Sequence, residues 1–86
     1  MAERLAFLLD GICEAERMAR CRELRALALV YCGLAHPATE ALGAAITDPA
    51  MTGRALIAID AIPALRRRRL LASYGALMAR TRRSSK

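Results

Sequence analysis

The sequence predicts an all-α protein: a compact bundle of four to five helices with a long N-terminal helix and short turns marked by proline. Alanine and leucine, the strongest helix formers, account for 19 and 13 of the 86 residues, and Val30 is the only valine. Apolar residues recur at three- and four-residue steps, the spacing of one helix face. We expect one helical domain over residues 1–80, followed by a basic, disordered tail at 81–86.

The first predicted helix covers residues 2–34, either as one long helix or as two in line. Its apolar stripe consists of Leu5, Leu8, Leu9, Ile12, Met18, Cys21, Leu24, Leu27, Ala28, Tyr31, Leu34 and Ala35. Gly11 is the weak point of this helix, because glycine costs up to about 1 kcal/mol in a helix interior. Since the stripe continues on both sides of Gly11, we expect the helix to continue through it.

Prolines mark the starts of the next three helices. Pro37 fits the first turn of a second helix over residues 37–46, because the missing N–H of a proline costs nothing there. Asp48 is expected to cap a third helix over residues 49–61, and a fourth helix is expected over residues 63–80. The apolar positions of these helices are Ala41, Leu42, Ala45, Ile46, Met51, Ala55, Leu56, Ala58, Ile59, Ile62, Leu70, Leu71, Tyr74, Leu77 and Met78.

The net charge of +6 is concentrated in the second half of the chain. Residues 1–43 carry five arginines and six acids, whereas residues 44–86 carry nine basic residues and two aspartates. From Pro63 onward there are eight basic residues and no acid. A basic end of this kind can bind nucleic acid, membrane headgroups or an acidic protein surface.

The cysteine content and the N-terminus both favour a cytoplasmic protein. The three cysteines are an odd number, and the N-terminus leads into a segment of mixed charge and not into an apolar signal core. No run approaches the roughly 18 uninterrupted apolar residues of a membrane helix. We therefore expect reduced thiols, a cytoplasmic location and no membrane partner.

Cys32 and His36 are four residues apart and could face one metal ion together with Cys13 or Cys21. Structural zinc sites usually bring paired ligands at short spacing from two places, and this sequence has no CxxC pair. The alternative is that the cysteines act as small buried hydrophobes and that His36 marks a helix boundary beside Pro37. We expect the alternative, and therefore neither a metal nor another cofactor.

The sequence has no arrangement typical of a catalytic site. His36 is its only histidine, and Glu14 and Glu16 are two residues apart, which places them on different sides of a helix. No glycine-rich phosphate loop is present. We therefore expect no catalytic residues and a protein that is not an enzyme.

Four consecutive arginines, Arg66, Arg67, Arg68 and Arg69, are the most visible feature of the chain. Four consecutive residues fan around a helix, so at least one of these arginines must lie toward the apolar face, where its stem can cover apolar surface. Cations in the first turn of a helix interact unfavourably with its dipole, so the run lowers the stability of this helix slightly. The run is either a solvated helix start or a patch that contacts a partner.

Ile57 lies away from the main apolar face of the third predicted helix. That face consists of Met51, Ala55, Ala58 and Ile62. A helix that is apolar on more than one side is either central in the bundle, the simpler interpretation, or docks a partner. Arg54, Ile57 and the four arginines are our candidate partner-binding residues.

Nucleic acid is the main alternative partner. The four arginines, with Arg80, Arg82, Arg83 and Lys86, would contact phosphates, and binding would depend steeply on salt. The chain has no Asn or Gln to pair with adenine and lacks aromatic stacking platforms. DNA binding would therefore be mostly electrostatic.

Two stretches resemble a known family. Residues 5–12, LAFLLDGI, with the helix rich in Glu and Arg after them, and residues 44–71, which contain TDPAMTGRALIAIDAIPALRRRRLL, resemble the QseM-type quorum-sensing antiactivators of rhizobial integrative and conjugative elements. The resemblance implies a protein that sequesters transcriptional activators and so restrains conjugative transfer. It implies no catalytic residues, and it places no binding residues on this sequence.

We accordingly expect a small regulatory protein that binds and inhibits a protein partner, a transcriptional activator. Buried apolar area would supply affinity, and arginines at the rim would supply orientation and association rate. Two alternatives stay open. One is a basic DNA-binding or nucleoid-type protein that uses the C-terminal arginines, and the other is a structural subunit whose apolar surface is completed by self-association.

Overall fold

The computed structural model describes Leu9 and residues 11–84, and this part of the chain is all-α. Its α-helices are α1 (Glu14–Cys32), α2 (Pro37–Thr47), α3 (Thr52–Asp60) and α4 (Ala64–Ser84). A single 3-10 turn, Pro49–Met51, leads directly into α3. The predicted fold class, a helical bundle with a long first helix and turns marked by proline, is therefore confirmed.

The start of α1 differs from the prediction. Gly11 has a φ of +67°, a left-handed conformation that a helix interior does not contain, so the expected continuity through Gly11 is wrong. Cys13 precedes the helix in an extended conformation, and its side chain makes no capping hydrogen bond. Glu14 then begins the helix, where a carboxylate is favourable for the dipole. The earlier part of the predicted helix, residues 1–8 and Asp10, lies outside the described residues.

Hydrogen bonds hold the short turn between α1 and α2. Gly33 ends α1 with a φ of +97°, and its N–H donates to carbonyls in the last turn of that helix. The buried hydroxyl of Thr39 donates to the Gly33 carbonyl at 2.8 Å. At the start of α2, Nδ1 of His36 accepts a hydrogen bond from the N–H of Ala38 at 3.1 Å. The prediction that His36 is a helix-boundary residue is confirmed.

The two following turns lie close to their predicted positions. Oδ1 of Asp48 accepts from the N–H of Ala50 at 3.0 Å, which confirms the predicted cap of the third helical segment. α4 begins directly after Pro63, as expected for a residue that cannot donate a backbone hydrogen bond. It continues past the predicted end near Arg80 to Ser84, because no glycine or proline interrupts this stretch.

The helices pack in the spatial order α4, α1, α2, α3. α2 contacts both α1 and α3, and α4 contacts α1, whereas α3 and α4 make few contacts with each other although they are consecutive. One core cluster unites them, and it contains Leu9, Cys21, Leu24, Ala28, Ala38, Leu42, Ala45, Ala55, Leu56, Ile59, Ile62, Leu70 and Tyr74. α3 and α4 are therefore packed against each other less closely than α2 is against α1 and α3.

Most predicted core positions in the described residues are buried or half-buried, and the two that are exposed lie just beyond the end of α1. Cys21, Leu24 and Ala28 are fully buried, as their three- and four-residue spacing predicts. Leu34 is 67% exposed, and Ala35 is exposed too. Their predicted burial is wrong because α1 ends at Cys32, so neither residue continues the helical face.

Candidate functional site

The six candidate partner-binding residues lie on both sides of the turn between α3 and α4. Two are on α3, and the run of arginines forms the first part of α4. Five of the six are exposed, and Arg67 is half-buried. Within the described residues, the side chains of four of them make no hydrogen bond and no ion pair: Arg54, Arg66, Arg68 and Arg69.

The outer face of α3 carries Ile57, whose side chain is 60% exposed. Gly53 and Ala61, four residues before and after it, are also exposed, and Arg54 lies on the same face at a three-residue step. α3 is therefore a peripheral helix, and its expected central position is wrong. The second predicted interpretation, an apolar residue available to a partner, agrees with this exposure.

A groove lies at the start of α4. It has a volume of about 310 Å³ and is lined by Pro63, Leu65, Arg66 and Arg69. Leu65 is 60% exposed, so the groove presents a large apolar side chain to solvent. Arg66 and Arg69 are three residues apart on one helix, which makes them neighbours on its surface. The groove thus combines apolar surface with two arginines that have no partner in the described part of the chain.

Arg67 differs from the other three arginines of the run. Its Nη1 donates to the carbonyls of Asp60 at 2.8 Å and Ile62 at 2.9 Å, which lie at the C-terminal end of α3 and in the following turn. The prediction that at least one arginine turns toward the bundle is confirmed by this residue. A cation is favourable at a helix C-terminus, so Arg67 stabilises the junction and is not free to contact a partner.

The first turn of α4 has an unusual charge for a helix start. α1 has Glu14 and Glu16 in its first turn and α2 has Glu40, whereas the first turn of α4 contains no acid. Arg66 instead places a cation at the positive end of the helix dipole. No acid follows anywhere in α4, so this helix itself is strongly positive.

Arg17 is a buried cation that the sequence analysis missed. It is 7% exposed and reaches from α1 to the end of α2, where Nη1 donates to the carbonyl of Ala45 at 2.5 Å and Nη2 contacts that of Ile46 at 3.4 Å. Nη1 also lies 3.3 Å from Oγ1 of Thr52, the first residue of α3. One guanidinium therefore joins three helices and satisfies carbonyls that the end of α2 leaves open.

Glu14 holds the Arg17 guanidinium in place. Its carboxylate accepts from Nη2 at 2.7 Å and from Nε at 2.9 Å, a two-point contact. The hydrogen bond from Arg17 lowers the pKa of Glu14. A carboxyl with a depressed pKa stabilises the fold above its ordinary pKa and loses that contribution as the pH falls through the folded value. The pair therefore acts as a structural element at neutral pH.

A second group of exposed apolar residues lies at the end of α1. Val30 is 76% exposed, and Leu29 and Leu34 are exposed beside it in the sequence. In contrast to the groove at α4, this end of α1 carries no arginine in its last turn. The two exposed apolar groups thus differ in the charge that accompanies them.

The contact between α1 and α4 contains two tyrosines. The hydroxyls of Tyr31 and Ser73 are joined by a hydrogen bond of 2.7 Å. The buried hydroxyl of Tyr74 has no hydrogen-bond partner in the described part of the chain, and burial raises its pKa. Both phenols are held within the helix interface and do not line the groove at α4.

The candidate metal ligands do not come together. Cys13 is exposed before α1, Cys21 is buried, and Cys32 is half-buried at the end of α1. His36 caps α2 through Nδ1. Among the described residues, no group of three or more His, Cys, Asp or Glu side chains is placed to hold a metal ion. Burial raises the pKa of the Cys21 thiol, which keeps it protonated.

Within the described range, no helix is both long and apolar enough to cross a membrane. Comparison of the chain with protein-family models found no match. Searches among curated proteins and among solved structures likewise found no significant match.

Proposed function

We propose that this chain is a non-catalytic regulatory protein that binds a protein partner, a transcriptional activator, and inhibits it by covering its surface. The observation that carries the proposal is the exposed surface on both sides of the α3–α4 turn. There, Ile57 and Leu65 present large apolar side chains, and Arg54, Arg66 and Arg69 accompany them without a partner in the described part of the chain. We call these five residues the junction surface.

The composition of the junction surface resembles that of a protein interface. Such interfaces place apolar anchors at the centre, and arginine is enriched in them relative to the rest of the surface. A purely solvated helix start would not need an exposed leucine or isoleucine beside the charges. Burial of the exposed parts of these two side chains would contribute about 1–2 kcal/mol each, because apolar area is removed from water.

The antiactivator role is the part of the proposal that the resemblance to QseM-type proteins supplies. A small helical body with apolar residues and arginines on one side suits an inhibitor that binds its target in a fixed ratio. The Arg17 contacts and the Arg67 contacts keep the helices that carry the junction surface in a fixed arrangement. A rigid surface loses less conformational freedom on binding, which favours tight inhibition.

The test is capture of the partner from the native cytoplasm at moderate salt after nuclease treatment, followed by mass spectrometry. We expect a transcription factor in near-stoichiometric amount, and we expect the chain to block that factor in a promoter-reporter assay. Ile57→Ala should reduce both capture and inhibition. Val30→Ala is the matched control, because Val30 is at least as exposed as Ile57 but lies in the other apolar group.

Recovery of partners only when nucleic acid is intact would contradict the proposal. Equal effects of Ile57→Ala and Val30→Ala would also count against the junction surface, since exposure alone would then explain the loss. Unchanged activity of the captured factor would show that the contact is not inhibitory.

DNA binding is the second candidate, and the charge of α4 favours it. Arg66, Arg68, Arg69 and Arg80 are exposed on this helix, and the helix contains no acid to oppose them. Phosphate contacts from these side chains would give affinity without sequence preference. The dependence of binding on salt separates this candidate from the first.

A further inference from the structure

We infer that the groove at the start of α4 receives an acidic amphipathic segment of the partner, with one apolar side chain against Pro63 and Leu65 and carboxylates on Arg66 and Arg69. This inference rests on the proposed function and names the chemistry of the partner at one part of the junction surface. Its basis is the combination of apolar lining and unpaired charge within a single groove.

The volume of the groove limits the size of its occupant. A volume of about 310 Å³ is at the lower end of the range of roughly 300–1,000 Å³ that ligand sites span. Leu65 and Pro63 supply apolar surface, and the Leu65 side chain is largely exposed to solvent. An apolar side chain on the partner would remove this surface from water, whereas a purely ionic ligand would not.

The two arginines of the groove favour an occupant with negative charge. Arg66 and Arg69 are three residues apart, so their side chains leave the same side of α4. α4 brings no acid to its own first turn, in contrast to α1 and α2. α4 therefore offers no carboxylate of its own to pair with these two guanidinium groups. A partner carboxylate could bind each of them through the two parallel hydrogen bonds that arginine favours.

A phosphate backbone fits the same groove less well. Phosphate binding gains from the arginines but leaves Leu65 in contact with a charged, hydrated ligand. The aromatic side chains of the described residues, Tyr31 and Tyr74, lie in the α1–α4 interface, so no stacking platform faces the groove. The apolar lining thus favours a protein segment over nucleic acid.

The experiment measures binding of a fluorescent synthetic helical peptide to the full chain by anisotropy at moderate salt. The peptide carries one central leucine flanked on the same helical face by two glutamates. Matched peptides replace the glutamates with glutamine or the leucine with serine, and a short DNA duplex is the third probe. Circular dichroism of each protein variant checks that the exposed substitutions leave the fold intact.

We expect Arg66→Gln and Arg69→Gln each to weaken peptide binding about fivefold to tenfold, the loss typical of one significant interface contact. Leu65→Ser should weaken it about fivefold, because the apolar contact is removed. Arg68→Gln is the matched control, since Arg68 is exposed in the same run but does not line the groove. Its effect should stay below about twofold, because it removes only general charge.

An Arg68→Gln effect equal to that of Arg66→Gln would overturn the inference, because diffuse charge would then explain binding. Equal binding of the glutamine peptide, tighter groove-dependent binding of the DNA duplex, or no peptide binding up to about 1 mM would overturn it as well. If the peptide fails while the chain still captures and inhibits its native partner through Ile57, the proposed function stands and only the groove inference falls. If the peptide binds through the groove but no partner is inhibited, the proposed function falls instead.

Discussion

At the scale of single residues, two arginines donate side-chain hydrogen bonds to backbone carbonyls at helix ends. Arg17 contacts carbonyls at the end of α2, and Arg67 contacts those at the end of α3. Neither helix has a basic residue in its own last turn, so both receive the favourable cation from another part of the chain. The arginine content of the chain thus contains structural residues as well as candidates for binding.

Replacement of Arg17 by methionine tests this structural role. Methionine keeps most of the apolar stem but leaves the carbonyls of Ala45 and Ile46 and the carboxylate of Glu14 without their donor, so we expect a loss of about 2–3 kcal/mol in unfolding free energy. Arg22→Met is the control, because Arg22 is exposed on the same helix. Urea denaturation measures both, and equal stabilities would show that the contacts of Arg17 contribute nothing net.

The three cysteines should differ in thiol reactivity. Cys13 is exposed, Cys32 is half-buried, and Cys21 is fully buried with a raised pKa caused first by that burial. Because the thiolate is the reactive form, we expect a thiol reagent to label Cys13 first, Cys32 more slowly and Cys21 only as the protein unfolds. Time-resolved mass spectrometry of the labelled chain measures the order. Fast labelling of Cys21 in the native protein would contradict the packing of α1 against α2.

At the scale of elements, turns with local chemical signals were predictable and long-range contacts were not. Pro37, Asp48 and Pro63 mark helix starts by their own backbone or side-chain chemistry, so α2 and α4 begin at or beside the predicted residues. The start of α1 has no such signal, because Cys13 makes no capping hydrogen bond and a single glycine is compatible with a helix. Burial of Arg17 depends on contacts 28 to 35 residues away, which no local pattern reveals.

In the candidate site too, features that depend on local helical spacing were predictable, and features that depend on packing were not. The exposure of Ile57 follows from helical spacing, and so does the inward turn of one arginine in four. The identity of that arginine, Arg67, depends on where α3 ends relative to α4, and this is set by packing. The groove beside Leu65 likewise could not be predicted, because helical spacing does not show which residues at the start of α4 are left uncovered by the rest of the bundle.

Arg67→Gln should destabilise the junction of α3 and α4. We expect a loss of about 1 kcal/mol in unfolding free energy, because the carbonyls of Asp60 and Ile62 lose a charged donor that is partly exposed to solvent. Arg68→Gln removes the same charge from the same run without a hydrogen bond and should change stability by less than about 0.5 kcal/mol. Thermal and urea denaturation of the two variants give the comparison. A larger loss in Arg68→Gln would reverse the assignment of the two side chains.

Two glycine substitutions should change the stability of the protein in opposite directions. Gly33 has a φ of +97°, so Gly33→Ala forces an L side chain into a strained conformation and should cost about 1–2 kcal/mol. Gly75 lies inside α4 with open space where a Cβ would stand, so Gly75→Ala should stabilise the protein by about 0.5–1 kcal/mol. Denaturation curves measure both. Destabilisation by Gly75→Ala would indicate that this face of α4 is covered.

At the scale of the whole molecule, the junction between the two end helices of the bundle also carries exposed positive charge. α3 and α4 are the end members of the order α4, α1, α2, α3. The core cluster includes Ile59, Ile62 and Leu70 on either side of their junction, and Arg67 adds two hydrogen bonds there. The exposed arginines of α4 also begin at this junction. The junction is therefore also where exposed positive charge begins, so a partner that binds there can gain from both apolar burial and charge.

The salt dependence of binding decides which partner uses this positive side. A DNA complex that neutralises four phosphates with Arg66, Arg68, Arg69 and Arg80 should show a slope of about −3.6 in log K against log salt, which is about a 150-fold loss between 50 and 200 mM. A complex that buries Ile57 and Leu65, with two arginines paired to carboxylates, should lose less than about fivefold over the same range, because apolar burial is not screened. Titration of the captured partner and of a DNA duplex across these salt concentrations measures both slopes with the same protein. A steep slope for the native partner, abolished by replacing the four arginines with glutamine, would assign the junction to nucleic acid. A shallow slope that is insensitive to Arg80→Gln but sensitive to Ile57→Ala would assign it to a protein surface.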